Sequence, residues 1–406
     1  PIMVFLVKPF KAYRPLKRRV EEVVLPTFDN LTDKQLKKIL NQSEYNFLNV
    51  VSPKAFYPNI SRKNSKKHAY DHLDAMIKNK IIVQEKSESF YVYCLNKYNK
   101  SQFGIVASIE FDRRNKRILK HEAIYKARSN SILETIEHTK MQIGPVYLSY
   151  KDKINMNLIF SKYKIKKPLY KFKSAGGTTR SLWKVDNTKD IKLIAKKLSS
   201  IKKYYIADGH HRFAAIESLD KKINGGSRKK KRINLLTAIF DEQSVNILSF
   251  HRLAKFNKFN SKKFIDTLSR KFIVSKKSRF QNPIEPGDLM IYLNKFWYSV
   301  SLRSDPKIYS KYETDVDIVE KIIIKNIANK KQNNSLLSVI NLPGLSVHKK
   351  LMKEVDSRRA DIGFFICPMP MKKIMSIADR GKIVPKKSTY FDPKPADGLV
   401  NLLMDI

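Results

Sequence analysis

Cysteine is nearly missing from this chain of 406 residues: it has two, Cys94 and Cys367, far apart in sequence. Two distant thiols make no disulfide framework, and such a chain is expected in a reducing compartment. Long apolar runs are missing as well. No stretch approaches 18 apolar residues, which excludes a hydrophobic membrane-spanning helix. The apolar start "PIMVFLVKPF" soon meets charge and has no small-residue cleavage site. It reads as a strand and not a signal peptide, Pro1 is what removal of an initiator Met would leave, and the expected location is the cytoplasm. Glycine is scarce, at 12 residues, and the text "SAGGTTR" at 174–180 lacks the G-x-x-x-x-G-K-[ST] frame. A Walker-type phosphate cradle is therefore excluded.

Acidic residues are also in short supply, with 37 Asp+Glu against 81 Lys+Arg and a net charge of +44. A charge of that sign raises nucleic-acid binding as one reading. The lysines form no single stripe, however; text such as "NKYNKSQ" at 96–102 recurs along the chain. The charge is read as solvated faces that also draw anionic substrates. Nucleic acid is not the expected partner, and no membrane contact is expected.

The chain is too long for one ordinary core, so two lobes are expected, 1–150 and 151–406. Apolar spacing predicts helices over 33–42 (Leu36, Ile39, Leu40), 65–85, 130–143, 189–201, 260–271 and 314–329. Strands are predicted over 89–95, 103–111, 144–150, 181–185, 233–240 and 244–254. Strands and helices mix without regular alternation, so the class is α+β, with mixed sheets and flanking helices.

Histidine totals 8, and two of these are adjacent in "KKYYIADGHHRFAAIESL", 202–219. Tyr204–Ala207 is a strand-like run, and Phe213, Ile216 and Leu219 recur at helical spacing. Asp208-Gly209-His210-His211-Arg212 therefore sits at a strand-to-helix turn. Such a turn aims free N–H groups and the positive end of a helix dipole at one point. Gly209 permits close approach or a positive φ, and His210, His211 and Arg212 add donors suited to phosphate oxygens. The plain alternative is a polar turn with Asp208 as N-cap. A zinc site is not expected, because no second His/Cys pair stands at ligand spacing.

Three further polar clusters stand out. "KHEAIYKARSN" holds Lys120, His121, Glu122, Lys126 and Arg128 between a strand and a helix. "FHRLA" holds His251 and Arg252 at a strand, and "KKSTYFDPKPADGLV" holds Ser388, Thr389, Tyr390, Lys394 and Gly398. Near the start, Arg14 precedes Pro15 in a segment biased to extended backbone.

The run Ala207–Arg212, ADGHHR, resembles the signature of a bacterial and archaeal family long filed as a domain of unknown function. "YVYCL", "ILKHEAIYKARSN", "IGPVYLSY", "SLWKV", "FHRLA" and "STYFDPKPADGLV" fall in that family's order. The chain departs from the usual text at Ile124, Ala127 and Phe213, which leaves the Asp-Gly-His-His-Arg core intact. Members are understood to include pyrophosphate-dependent serine kinases, which make O-phospho-L-serine and so serve serine metabolism and cysteine biosynthesis. The turn is also similar to the phosphate-binding turn of the ParB/sulfiredoxin superfamily, which includes nucleotide-dependent free-serine kinases.

The resemblance implies a ParB/sulfiredoxin-like core in a larger two-lobed chain, with L-serine and pyrophosphate as partners and Mg²⁺ as cofactor. The polar clusters themselves give Glu122, Asp208 and His210 as expected catalytic residues, with Glu122 as base because Asp208 sits closest to the phosphate turn, and Asp208 as the metal ligand. Gly209, His210, His211, Arg212, Lys126, Arg128, His251 and Arg252 are expected at the phosphates, and Arg14, Thr389, Tyr390 and Lys394 at the substrate. The alternatives are a nucleotide (ADP or ATP) as donor, or a ParB-like nucleic-acid-binding protein. The latter calls for a helix-turn-helix after the turn, and none is evident. A sulfiredoxin-like redox enzyme calls for a cysteine beside the turn, and 202–219 has none.

Overall fold

The structure is a computed structural model, and it describes residues 6–25, 41, 43–112, 116–151, 154–174, 176–226, 230–329, 335–385 and 387–406. The helix expected over 33–42 lies outside these except for position 41. The protein is α+β and divides into two compact units. The first takes residues 1–120, 124–245 and 393–406; the second takes 121–123 and 246–392. No helix among the described residues is long and apolar enough to cross a membrane.

The first unit is built on a nine-stranded sheet. Its strands are β1 Val7–Lys8, β2 Phe90–Lys97, β3 Lys100–Phe111, β4 Ile118–Leu119, β5 Val146–Tyr150, β6 Tyr170–Lys173, β7 Thr179–Val185, β8 Tyr204–Asp208 and β9 Ile233–Asp241. They lie in the order β4-β8-β5-β9-β3-β2-β7-β6, with β1 added along β3. Sheet residues alternate between two faces. One face carries Val92, Ile105, Leu148, Trp183, Ile206 and Ile239 into the main core. Helices Asn157–Lys164, Thr188–Ser199 and His210–Asn224 cover it through Ile159, Ile194, Phe213 and Leu219. The other face carries polar groups, among them Tyr91, Tyr93, Gln102, Tyr147 and Arg180.

Two helices differ from the periodicity reading in the same way. The first is α1, Arg62–Lys78, with Ser61 accepting from the Asn64 N–H at its start. The second is α2, Lys126–Thr139. Each gives way where a lysine takes a positive φ, Lys80 and Lys140, both at 55°. The triplets that follow, Ile82–Gln84 and Met141–Ile143, each with two apolar residues, then become outer strands of a four-stranded sheet with Tyr13–Pro15 and Asn401–Leu403. Their apolar residues extended the helical period in the sequence but serve a different element.

The second unit has a six-stranded antiparallel sheet in the order Ile273–Lys277, Phe296–Ser301, Asp288–Leu293, Ile362–Ile366, Phe250–Phe256, Leu336–Pro343. The helical stretch Asp315–Asn329 packs Ile318, Ile323 and Ile327 into that unit's core with Phe364 and Ala254. A short strand pair joins Ile247–Leu248 to Tyr390–Phe391.

Candidate anion site at the Asp-Gly-His-His-Arg turn

The strand-to-helix reading of 202–219 is what the chain does. Strand β8 ends at Asp208, and helix α3, His210–Asn224, begins two residues later. A bulge lies in β8, so that Ile206 pairs with Leu148 while Asp208, not Ala207, pairs with Tyr147. The extra residue moves the Asp208 side chain to the polar face that carries Tyr147; bulges re-aim side chains in this way. Gly209, not Asp208, is the N-cap, with φ +97°. A Cβ there would sit 3.3 Å from the Val146 backbone, so the position needs glycine on both counts.

Four charged side chains meet at this turn. Lys394 Nζ donates to Asp208 Oδ1 at 2.8 Å. Arg212 Nη2 donates to both oxygens of Asp397, at 2.8 and 2.7 Å, and its Nη1 donates to the Pro145 carbonyl at 3.1 Å. Asp397 lies so close to Gly144 that a Cβ there would fall 2.0 Å from Oδ1. The carboxylates feel each other. Burial works against ionisation of Asp208, but Lys394 and then Arg212 outweigh it and hold its carboxyl well below the ordinary range. Burial pushes the Asp397 carboxyl up; Arg212 opposes this and Asp208 adds to it.

The two histidines differ. His210 is 5% exposed, and burial brings its pKa down to about 4 against the pull of Asp208. It is therefore neutral at pH 7. His211 Nε2 accepts from the Tyr125 N–H at 3.0 Å, which leaves the ring proton on Nδ1. The ring lies parallel to exposed Tyr125, with centroids 6.1 Å apart. Tyr125 is the N-cap of α2, so Lys126 and Arg128, both exposed, occupy that helix's first turn beside His211.

The other expected residues are placed as follows. Arg14 ion-pairs Glu85, which also takes Lys184, and donates to the Tyr170 hydroxyl at 3.1 Å. Glu122 belongs to the second unit, where it bridges Val384. His251 and Arg252 lie in that unit's sheet. His251 Nδ1 accepts from Ile366 N–H, its Nε2 is 3.0 Å from the Gly344 carbonyl, and its ring stacks on Phe365 at 3.8 Å. Arg252, with no exposure, donates to Glu320, to the Phe250 carbonyl and to the Lys387 carbonyl. Thr389 and Tyr390 are buried in the same unit, Tyr390 edge-on to Phe250.

Sequence reasoning passed over two residues. Asp397 sits in "KPADGLV", where an Asp-Gly pair repeats the one at 208–209; that echo was the available signal. Arg180, on β7, carries no motif. Its Nη1 donates to the Tyr93 hydroxyl at 2.9 Å and to the Lys394 carbonyl at 2.7 Å.

No three His, Cys, Asp or Glu side chains among the described residues form a group able to hold a metal by themselves. What the turn offers is an alternation of two cations and two carboxylates at a helix start, suited to an anion that brings a metal with it.

No curated protein matches the chain. Among solved structures it is similar to SbnI with C-terminal truncation from Staphylococcus aureus: TM-score 0.38, 12% identity, over 71% of this chain and 82% of that one. A free serine kinase in complex with AMP gives TM-score 0.34 and 13% identity, over 70% and 86%. A conserved hypothetical protein from Pyrococcus furiosus gives 0.33 and 14%, over 72% and 94%. The model of the family described as "Protein of unknown function (DUF1015)" matches residues 7–327, most of the length, and the chain belongs to that family.

Proposed function

We propose that the protein phosphorylates free L-serine to O-phospho-L-serine with pyrophosphate as donor, releasing inorganic phosphate. One observation carries this reading: the alternation of Asp208, Lys394, Asp397 and Arg212 at the start of α3. A metal–pyrophosphate complex is itself an alternation of cation and anionic oxygen. It would exchange partners with the four groups, the cations turning to phosphate oxygens and the carboxylates to the metal. The Asp397 carboxyl, raised by its burial and further by Asp208, supports a cation there. Asp208 and Asp397 would thus hold Mg²⁺, which when bound supplies neutralisation of the phosphoryl charge. The ADGHHR resemblance supports serine as acceptor.

In the reaction the serine hydroxyl oxygen bonds to one phosphorus as that atom's bond to the bridging oxygen breaks. The hydroxyl proton goes to a carboxylate, and the freed phosphate departs. Positioning and charge neutralisation are the main demands of such a transfer. Asp208, held so far below the ordinary range, is a poor proton acceptor. The base proposed remains Glu122, from the other polar cluster that the sequence flanks with ordered elements.

The test is incubation with L-serine, Mg²⁺ and either pyrophosphate, ADP or ATP, with phosphoserine measured. Pyrophosphate is expected to turn over and the nucleotides to be poor. One observation favours a nucleotide instead, the exposed Tyr125 ring beside His211, which could stack a base. Turnover with ADP or ATP and none with pyrophosphate would move the donor to that reading. No phosphoserine with any donor, together with salt-sensitive DNA binding, would favour a ParB-like protein.

A further inference from the structure

Arg180 is a fully buried cation that makes no ion pair among the described residues. Its pairing with Leu95 and Phe172 sets it on β7, on the polar face of the sheet, and its exposure is 0%. Its two bonds, to the Tyr93 hydroxyl and the Lys394 carbonyl, both use Nη1 and both go to neutral acceptors. Nε and Nη2 are buried and have no partner among the described residues. An uncompensated buried charge is among the most costly arrangements in a protein interior. The unpartnered atoms are also a particular pair. Nε–H and Nη2–H form the side edge of the guanidinium, two parallel donors matched to the two oxygens of a carboxylate.

The position of Arg180 relative to the turn is limited by Lys394. The arginine holds that residue's backbone carbonyl, while the Lys394 side chain reaches Asp208. A lysine spans about 8 Å from carbonyl oxygen to Nζ at full stretch, so Arg180 Nη1 is no more than about 14 Å from Asp208 Oδ1. That upper bound keeps Arg180 in the neighbourhood of the turn. The neighbouring contacts tie the same segment down: the Tyr93 hydroxyl also accepts from the Ala396 N–H at 3.3 Å, and Asp397 meets Arg212.

We propose that the Nε–Nη2 edge of Arg180 binds the α-carboxylate of the acceptor amino acid, and so makes the enzyme select an amino acid over a simple amino alcohol. The proposal rests on the serine-kinase reading. The quartet at the turn supplies cations for the donor's phosphates, and Arg180 supplies the one the acceptor's carboxylate needs.

The experiment compares L-serine with ethanolamine, which keeps the amine and hydroxyl but lacks the carboxylate. Calorimetric binding to the wild-type protein is expected to favour L-serine by at least about tenfold. Arg180→Gln is expected to remove that preference and to raise the KM for L-serine about tenfold or more, with the KM for pyrophosphate within about twofold. Arg180→Lys, which keeps charge without the fork, should fall between. Equal wild-type affinity for the two ligands overturns the proposal even where Arg180→Gln does not fold. A raised KM for pyrophosphate with an unchanged KM for L-serine overturns it as well, placing Arg180 at the donor. If the wild type makes no phosphoserine with any donor, the kinase reading fails separately. The subsite is then read by melting in acetate against chloride at equal ionic strength. Extra stabilisation by acetate that Arg180→Gln loses upholds a carboxylate site, and its absence from the wild type removes it.

Discussion

Two histidine–arginine clusters look alike in the sequence and are built in opposite ways. His251-Arg252 lies near the start of a sheet strand, Phe250–Phe256, of the second unit. Both imidazole nitrogens meet backbone groups, the Ile366 N–H of a neighbouring strand and the Gly344 carbonyl just past another, and the guanidinium spends its donors on Glu320 and two carbonyls. His210-His211-Arg212 lies beyond the end of a strand, after a glycine in the left-handed region. There the main partners are side chains, Asp397 for Arg212 and, nearby, Lys394 for Asp208. Partners such as the Ile366 N–H and the Phe250 carbonyl are backbone groups held in place by the sheet. Side-chain ion pairs can be exchanged for a ligand's charges. The buried arginines repeat the contrast: Arg252 has a carboxylate, and Arg180 has two neutral acceptors and an edge with no partner among the described residues.

The contrast breaks most sharply at the carboxylates of the turn. Asp208→Asn keeps size and hydrogen bonding but removes the charge that Lys394 meets. Turnover is expected to fall about 10²-fold or more, with some loss of stability because Lys394 loses its partner. Full activity would show that the turn is not the site. Glu122→Gln is expected to cost about 10²-fold in kcat if Glu122 takes the hydroxyl proton; a near-normal rate would return that role to Asp208 or elsewhere.

Arg212→Ala comes next. It removes a charge-assisted contact worth about 1.5–3 kcal/mol, and donor affinity and turnover should both suffer. Donor kinetics equal to wild type would leave Arg212 as a clasp for Asp397 alone.

His251 should behave in the opposite manner. His251→Phe leaves the Ile366 N–H and the Gly344 carbonyl without their partner, at about 1–3 kcal/mol each, so stability falls. A raised KM for pyrophosphate in a folded variant would instead put His251 at the donor. Its pH dependence sharpens the point. Burial lowers its pKa from 6.5 to about 4. Between these values the unfolded chain takes up a proton that the folded chain does not. The stabilisation is therefore whole above about pH 6.5 and is lost as pH falls toward 4. Denaturation at pH 7 and pH 5 should show this loss in the wild type and a smaller one in His251→Phe.

The smallest effect is ionic. The net charge of +44 should steer an anionic donor, so the KM for pyrophosphate is expected to rise a few-fold from low to high salt. A flat response would leave the charge as solvation alone.

The sequence by itself determined the α+β class, the strand–turn–helix at 204–224 and the glycine that opens its helix. Each depends on local periodicity or on the φ of one residue, which neighbours in the chain dictate. It pointed to Lys394 beside the turn's chemistry through text alone, and the Lys394–Asp208 contact joins residues 186 positions apart. It could not separate His210-His211-Arg212 from His251-Arg252, since what distinguishes them is which atoms of distant strands lie within 3 Å. It extended two helices past Lys78 and Thr139, because apolar residues of a following strand continue a helical period by chance. Tertiary structure alone decided that a bulge turns Asp208 to the polar face, that Asp397 completes the charge alternation, and that Arg180 is buried with an open fork. Those are facts of register and of long-range packing, and no window of sequence contains them.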